Sequence, residues 1–245
     1  MRQKIESEAG QPAVLNRAWS YVNATGIEVL RVARFDLEDG DKQYRPVHPT
    51  KAGWKIGDPS GLLPLYRLLE IPKSGRVYIC EGEKAADAAW TIGLPATTSA
   101  HGSAAAEKTD WRPLAGMEVV ILPDADEPGG RYAHDVAVIL AKLDPPGRVR
   151  TLEGPGLPEG GDVVEYIEAH PDDGVEYIAG CIGTLADARP IMLASDLIGG
   201  PVLVNMADVE PCEIQWLWPG KSAVENGIGS FGIAPYMLST VMVQI

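Results

Sequence analysis

Cysteine is scarce. The 245-residue chain has three, Cys80, Cys181 and Cys212, an odd number set far apart. A disulfide framework and a CxxC-type zinc site both need paired or closely spaced cysteines, so neither can be built, and the three are read as reduced and packed. Long apolar runs are absent too. No stretch approaches the roughly 18 to 20 residues of a membrane span, and the opening MRQKIESEAGQ lacks the apolar core of a signal peptide. The expectation is a cytoplasmic protein without membrane contact. No internal repeat is visible. Positive charge is short overall: the net charge is −13, which at first sight argues against a nucleic-acid partner, since phosphate binding is dominated by Lys and Arg.

What is present is the composition of an ordinary soluble protein, 45% hydrophobic and 22% charged, on a chain long enough for one sizeable core or two small ones. The acidity is uneven. Residues 31–76 carry nine Lys/Arg against six Asp/Glu, whereas residues 151–245 carry two against fourteen. A polyanion could therefore be met by the N-terminal part through Arg31, Arg34, Lys42, Arg45, Lys51 and Lys55. A solvated sheet surface of mixed charge explains each of them equally well.

Residues 1–18 are polar with weak helical character. From 26 to 49, two alternating runs flank Asp39-Gly40, a strong hairpin signal, and predict an antiparallel hairpin or meander. Gly53 to Gly61 reads as a loop and Leu62 to Pro72 as a short helix. Then strand and helix alternate: strand Arg76 to Cys80, an Ala-rich helix from Glu83 with Gly93 as its stop, a short strand from Leu94 to Ala100, a helical turn at 109–116, strand Glu118 to Leu122, an amphipathic helix from Gly130 to Leu143, and a strand from Gly147 to Leu152. That alternation predicts an α/β fold, a parallel sheet flanked by helices, with an N-terminal β-rich subdomain and an irregular C-terminal tail. Asp162 to His170 reads as a short helix; beyond Asp172 the pattern weakens.

Two of these apolar strands end in carboxylates. The first runs into EGEKAADAAW (Glu81 to Trp90), the other into PDADEPGG (Pro123 to Gly130). They read as one metal site assembled from two pieces. Oxygen-rich anionic ligands suit hard Mg²⁺, with Mn²⁺ as a substitute. Asp124 and Asp126 lie two apart, so along a strand they would point the same way and share ions. Glu81 can add a ligand or act as the general acid/base. An Asp-x-Asp pair alone occurs by chance; the joint pattern of apolar strand, Glu-Gly-Glu, Ala-rich helix, apolar strand, Asp-x-Asp and Gly is far more specific.

VYICEGEKAADAAWTIGLPATTSAHG together with VVILPDADEPGGRYAHDVAVIL resembles the Toprim region of phage and plasmid primases and primase-helicases, within the bacterial-type DNA primase family, over Arg76 to Leu152. The preceding hairpin resembles the small segment that often comes before it. The resemblance implies that Glu81 is the acidic acid/base and that Asp124 and Asp126 form the Mg²⁺-binding pair. It implies Mg²⁺-dependent nucleotidyl transfer, primer synthesis from nucleotide triphosphates on DNA, in replication of a phage or mobile element. Many members carry an Asp four residues after the first Glu; here that position is Ala85, and Asp87 lies on another helix face. Further candidates for substrate or auxiliary roles are Glu83, Lys84, His101, Arg131 and Asp162. Each has a bland account: a first-turn acid for Glu83, a solvated helix for Lys84, polar surface for His101 and Arg131, and an N-cap for Asp162.

Relatives of this kind continue into an ATPase announced by a WLWPG-like segment. IQWLWPGKSAVENG (Ile214 to Gly227) imitates it, but Gln215 stands where a phosphate loop needs its first Gly, and too little chain follows for such a domain. The sequence therefore reads as truncated before a helicase, which would act as a separate chain, and it has no zinc-ribbon cysteines. The expected organisation is a β-rich segment over 1–72, a Toprim-like catalytic domain over 73–153, and an acidic extension over 154–245. A Toprim-type nuclease and an inactive DNA-binding remnant remain the alternatives.

Overall fold

The computed structural model describes residues 1–102, 105–153, 161–192 and Leu197, within a compact unit that spans Met1–Pro201. The WLWPG segment and Cys212 lie outside the described residues. The chain begins with α1 (Arg2–Ala9) and an antiparallel meander of β1 (Ala13–Val22), β2 (Glu28–Leu37), β3 (Lys42–Thr50) and β4 (Gly53–Ile56), hydrogen-bonded in that order. The Asp39-Gly40 turn closes as the sequence predicts: Gly40 has φ 94°, and the Leu37 amide donates to the Asp41 carbonyl at 2.8 Å.

The second half holds β5 (Arg76–Cys80), α2 (Glu83–Thr91), β6 (Ala96–Thr97), β7 (Glu118–Leu122), α3 (Glu127–Ala141), β8 (Arg148–Thr151), α4 (Val163–Glu168) and α5 (Val175–Asp187). β5, β6, β7 and β8 form a parallel sheet in the order β6-β5-β7-β8. β5 and β7 read as continuous apolar runs because both their faces are covered. Tyr78, Cys80, Val120 and Leu122 pack toward Ala85, Ala86 and Ala89 of α2, with α4 and α5 alongside. Val77, Ile79, Val119 and Ile121 pack toward Tyr132, Ala133, Val136, Ala137 and Leu140 of α3. Each fully buried Val, Leu or Ile contributes about 1.5–3 kcal/mol, so the two strands anchor the fold.

The meander joins the same core. Trp19, Tyr21, Leu30 and Val32 belong to the cluster that holds α2 and α4, whereas Ala33, Phe35 and Leu37 face the other way onto α1, with Ile5 and Ala13. β2 is thus buried on one face in its first half and on the opposite face in its second.

α1 agrees with the weak helical character of the first residues, but six expectations change. β1 begins at Ala13, hidden in the sequence because its residues from Val14 to Ala18 are exposed and lack alternation, and the strand expected from Leu94 to Ala100 shortens to Ala96–Thr97. Gly53–Ile56 is an edge strand rather than loop. Leu62 to Pro72 is not helical: Arg67 has φ 54°, and the amides of Leu63 and Tyr66 donate outward to the carbonyls of Lys108 and Thr98. α3 begins at Glu127, ahead of the expected Gly130. α5 lies in the region judged patternless; its buried stripe of Ile178, Ile182 and Ala186 is interrupted in sequence by Gly180 and Gly183. Among the described residues no helix is long and apolar enough to cross a membrane.

Candidate active site

The strand order reverses at β5. The chain leaves β5 through α2 to reach β6 on one side, then crosses to β7 on the other, and the two following helices lie on opposite faces of the sheet. In open α/β sheets this reversal leaves a crevice at the carboxyl ends of the central strands, where ligands bind. Cys80 and Leu122 are register partners at the ends of β5 and β7. Glu81 follows directly and Asp124 two residues on, so both reach the mouth of that crevice.

Asp124 is half-buried. Burial, and then the charges of Glu81, Asp162, Asp126 and Glu165, raise its pKa to about 7. β7 stops at Leu122, so strand alternation is not what pairs Asp124 with Asp126. Asp126 is instead the N-cap of α3, its Oδ1 accepting from the Gly129 amide at 2.7 Å. Gly129 fits only without a side chain: a methyl there would overlap the Asp124 carbonyl oxygen and lie 3.0 Å from its amide nitrogen. The start of α3 is therefore packed directly against the Asp124 backbone.

Asp162 arrives from far along the chain. The Ala125 amide donates to the Gly161 carbonyl at 2.9 Å, which holds the two loops together. Asp162 caps α4 in a capping box with Glu165: its Oδ1 accepts from the Val164 amide at 2.6 Å, and Glu165 Oε2 accepts from the Asp162 amide at 2.9 Å. N-cap and neighbour of Asp124 are thus one and the same role-bearing position. Burial and the adjoining Glu165 carboxylate push the Asp162 pKa up, while the hydrogen bond from Asp162 holds Glu165 low. Glu165 is a member of the acidic group that sequence reading missed; its signal was the Asp-x-x-Glu spacing of the box.

Glu81 presents its carbonyl to Thr98 Oγ1 at 3.0 Å, and Gly102 lies close above it. Glu83 is buried at the start of α2, where Tyr21 of β1 donates to its Oε1 at 2.8 Å; burial raises both pKa values. Ala85 is buried in the core. Asp87 accepts from Arg17 Nη2 (2.9 Å), Trp19 Nε1 (3.1 Å), Tyr66 OH (2.9 Å) and Arg67 Nη1 (2.9 Å), so it ties α2 to β1 and to the 66–67 turn and does not replace the carboxylate absent at Ala85. Lys84 is exposed, with its charge felt by Glu165. Arg131 is exposed and ion-paired with Glu127. His101 hydrogen-bonds through Nε2 to Asp58 Oδ1 at 2.6 Å, a partner that no sequence spacing announced. Among the described residues, no three His, Cys, Asp or Glu side chains are gathered closely enough to enclose an ion.

The basic residues of the meander are largely engaged. Arg31 pairs with Glu28 at 2.8 Å and lies over the Trp54 ring at 4.6 Å, Arg34 pairs with Asp36 at 2.7 Å, and Arg45 with Glu8 at 3.2 Å. Lys42, Lys51 and Lys55 are exposed.

The solved structures it resembles include primase fragments. The primase fragment of the bacteriophage T7 primase-helicase protein aligns at 17% identity with a TM-score of 0.45, covering 69% of this chain and 66% of that one. The zinc-binding and RNA polymerase domains of Aquifex aeolicus primase align at 17% identity and 0.48, covering 74% and 41%. The RNA polymerase domain of Mycobacterium tuberculosis primase DnaG aligns at 18% and 0.37, covering 78% and 64%. This chain therefore spans less than two thirds of each of those chains. No family model matches it, and no curated protein does.

Proposed function

We propose that the chain carries a Toprim-type site for Mg²⁺-dependent nucleotidyl transfer, primer synthesis from nucleotide triphosphates on a DNA template. The observation that carries this reading is Asp124, lifted to about pH 7 by burial and by four surrounding carboxylates at the strand-order reversal. Carboxylates crowded in this way repel one another, and a cation relieves the repulsion. The donor set fits Mg²⁺, which takes one or two protein carboxylates and fills its shell with water or phosphate, so a closed cage of side chains is not required. Asp124 and Asp126 would hold the ion, beside Glu81; when bound it would offset phosphoryl charge and activate the attacking hydroxyl.

The chain's own residues would then divide the work. Asp126 fixes the start of α3 and, through Gly129, the backbone of Asp124. Glu81 stands across the crevice to take or return a proton. In this reading residues 1–72 meet the template through the exposed Lys42, Lys51 and Lys55, residues 73–153 carry the chemistry, and 154–245 form the acidic extension. Asp124→Ala or Asp126→Ala is expected to abolish Mg²⁺- or Mn²⁺-dependent primer synthesis on single-stranded DNA while the protein stays folded by circular dichroism. Full activity in either variant would refute the assignment. One observation favours the inactive-remnant reading: Ala85 is buried and Asp87 is fully engaged elsewhere. DNA binding without Mg²⁺-dependent chemistry would select it, and DNA cleavage without nucleotides would select the nuclease.

A further inference from the structure

Close to Glu81 stands a second pair of side chains. His101, in the loop after β6, has φ 72°, a left-handed conformation that a non-glycine residue keeps only when its surroundings impose it. The imposing contact is visible: His101 Nε2 and Asp58 Oδ1 are 2.6 Å apart. Asp58 follows β4, in a loop anchored to the meander by the Gly57 amide donating to the Pro46 carbonyl at 2.9 Å and by the Gly57 carbonyl 2.7 Å from His48 Nδ1. The residue after His101 lies beside Glu81. Gly102 has φ 58°, and a Cβ there would lie 3.5 Å from the Glu81 carbonyl oxygen and 3.9 Å from its Cγ. Ser99 anchors the loop from below, its Oγ 2.8 Å from the Tyr132 hydroxyl.

We propose that Asp58 and His101 work as a dyad, Asp58 orienting the imidazole and His101 contacting the phosphates of the incoming nucleotide. The inference rests on the nucleotide-transfer reading above. A site lined by Glu81, Asp124, Asp126, Asp162 and Glu165 repels a polyphosphate unless a donor is held among these acids. A histidine bonded to a carboxylate through one nitrogen is held in one orientation, and as the imidazolium it also donates from its other nitrogen. Asp58 belongs to the N-terminal meander, so the meander completes the site instead of only flanking it.

The test uses the full-length chain, with Mg-ATP binding followed by calorimetry beside priming on single-stranded DNA and thermal melting. His101→Ala is expected to weaken ATP binding and raise KM about tenfold, the loss of one hydrogen bond to a charged group. Asp58→Asn should fall between that variant and the wild type. Both should melt near the wild type, and added imidazole should restore part of the priming rate to His101→Ala but not to Asp58→Asn. Unchanged ATP binding in both variants overturns the dyad, as does a loss that follows a lowered melting temperature with no rescue, or a wild type that binds no nucleotide. ATP binding that depends on His101 in a protein making no primer keeps the dyad and removes the primer-synthesis reading. Priming that ignores His101 does the reverse.

Discussion

Asp124 is the residue at which the charge of the site is concentrated. Burial and its acidic neighbours raise its pKa from 3.8 to about 7. Between those values the folded chain holds a proton that the unfolded chain has released, so folding stability is present in full below about pH 4 and falls as the pH rises toward 7. Asn at this position removes the penalty. In the presence of a chelator, Asp124→Asn should therefore melt above the wild type at pH 8, with the gap narrowing at pH 4.5. Millimolar Mg²⁺ should raise the wild-type melting temperature at pH 8 and leave the variant's unmoved; an equal shift in both would show that the ion binds elsewhere. The placement of Glu81 and Asp124 at strand ends was legible in the sequence because each lies within two residues of an apolar run that must be a buried strand. Asp58 was not, because its approach to His101 depends on loops that meet only once the chain has folded, and the Asp-x-x-Glu spacing announced Glu165 as a cap but not as a neighbour of Asp124.

Among the elements, α2 shows how a single helix is held by polar contacts on one side and by alanines on the other. Its alanines let it sit close against β5 and β7, and Asp87 gathers donors from Arg17, Trp19, Tyr66 and Arg67. Removing that carboxylate strands the partly buried donors of Trp19, Tyr66 and Arg67, so Asp87→Ala should lower unfolding free energy by about 3 kcal/mol in denaturant titration. A change below about 0.5 kcal/mol would mean that solvent replaces the carboxylate without loss. The β2–β3 hairpin, by alternation and its turn, β5 and β7, by their apolar runs, and the helices α2 and α4 were readable. Leu62 to Pro72 was not, since its apolar spacing suits a helix while Arg67 is held in a left-handed turn by Asp87, Glu70 and the Trp90 ring.

For the whole molecule, the α/β class followed from alternation of strand and helix, but the shared core did not. Trp19, Tyr21, Leu30 and Val32 of the meander lie in the same cluster as Tyr78, Cys80, Ala86 and Val120. A chain beginning at residue 62 would expose that surface to water, and is expected to lack a cooperative thermal transition and to bind hydrophobic dye; a sharp melt near the wild-type temperature would show the parallel sheet to be self-sufficient. The two-faced burial of β2 carries a further consequence. A strand buried on one face can slip by two residues and still present apolar side chains to its core, but β2 serves one core with Leu30 and Val32 and another with Phe35 and Leu37. Any slip spoils both at once. The pairing frame fixed there passes from β2 to β3 to β4 and on to Asp58 just beyond it, so the position of the His101 partner is set to within a residue by a strand two pairings away.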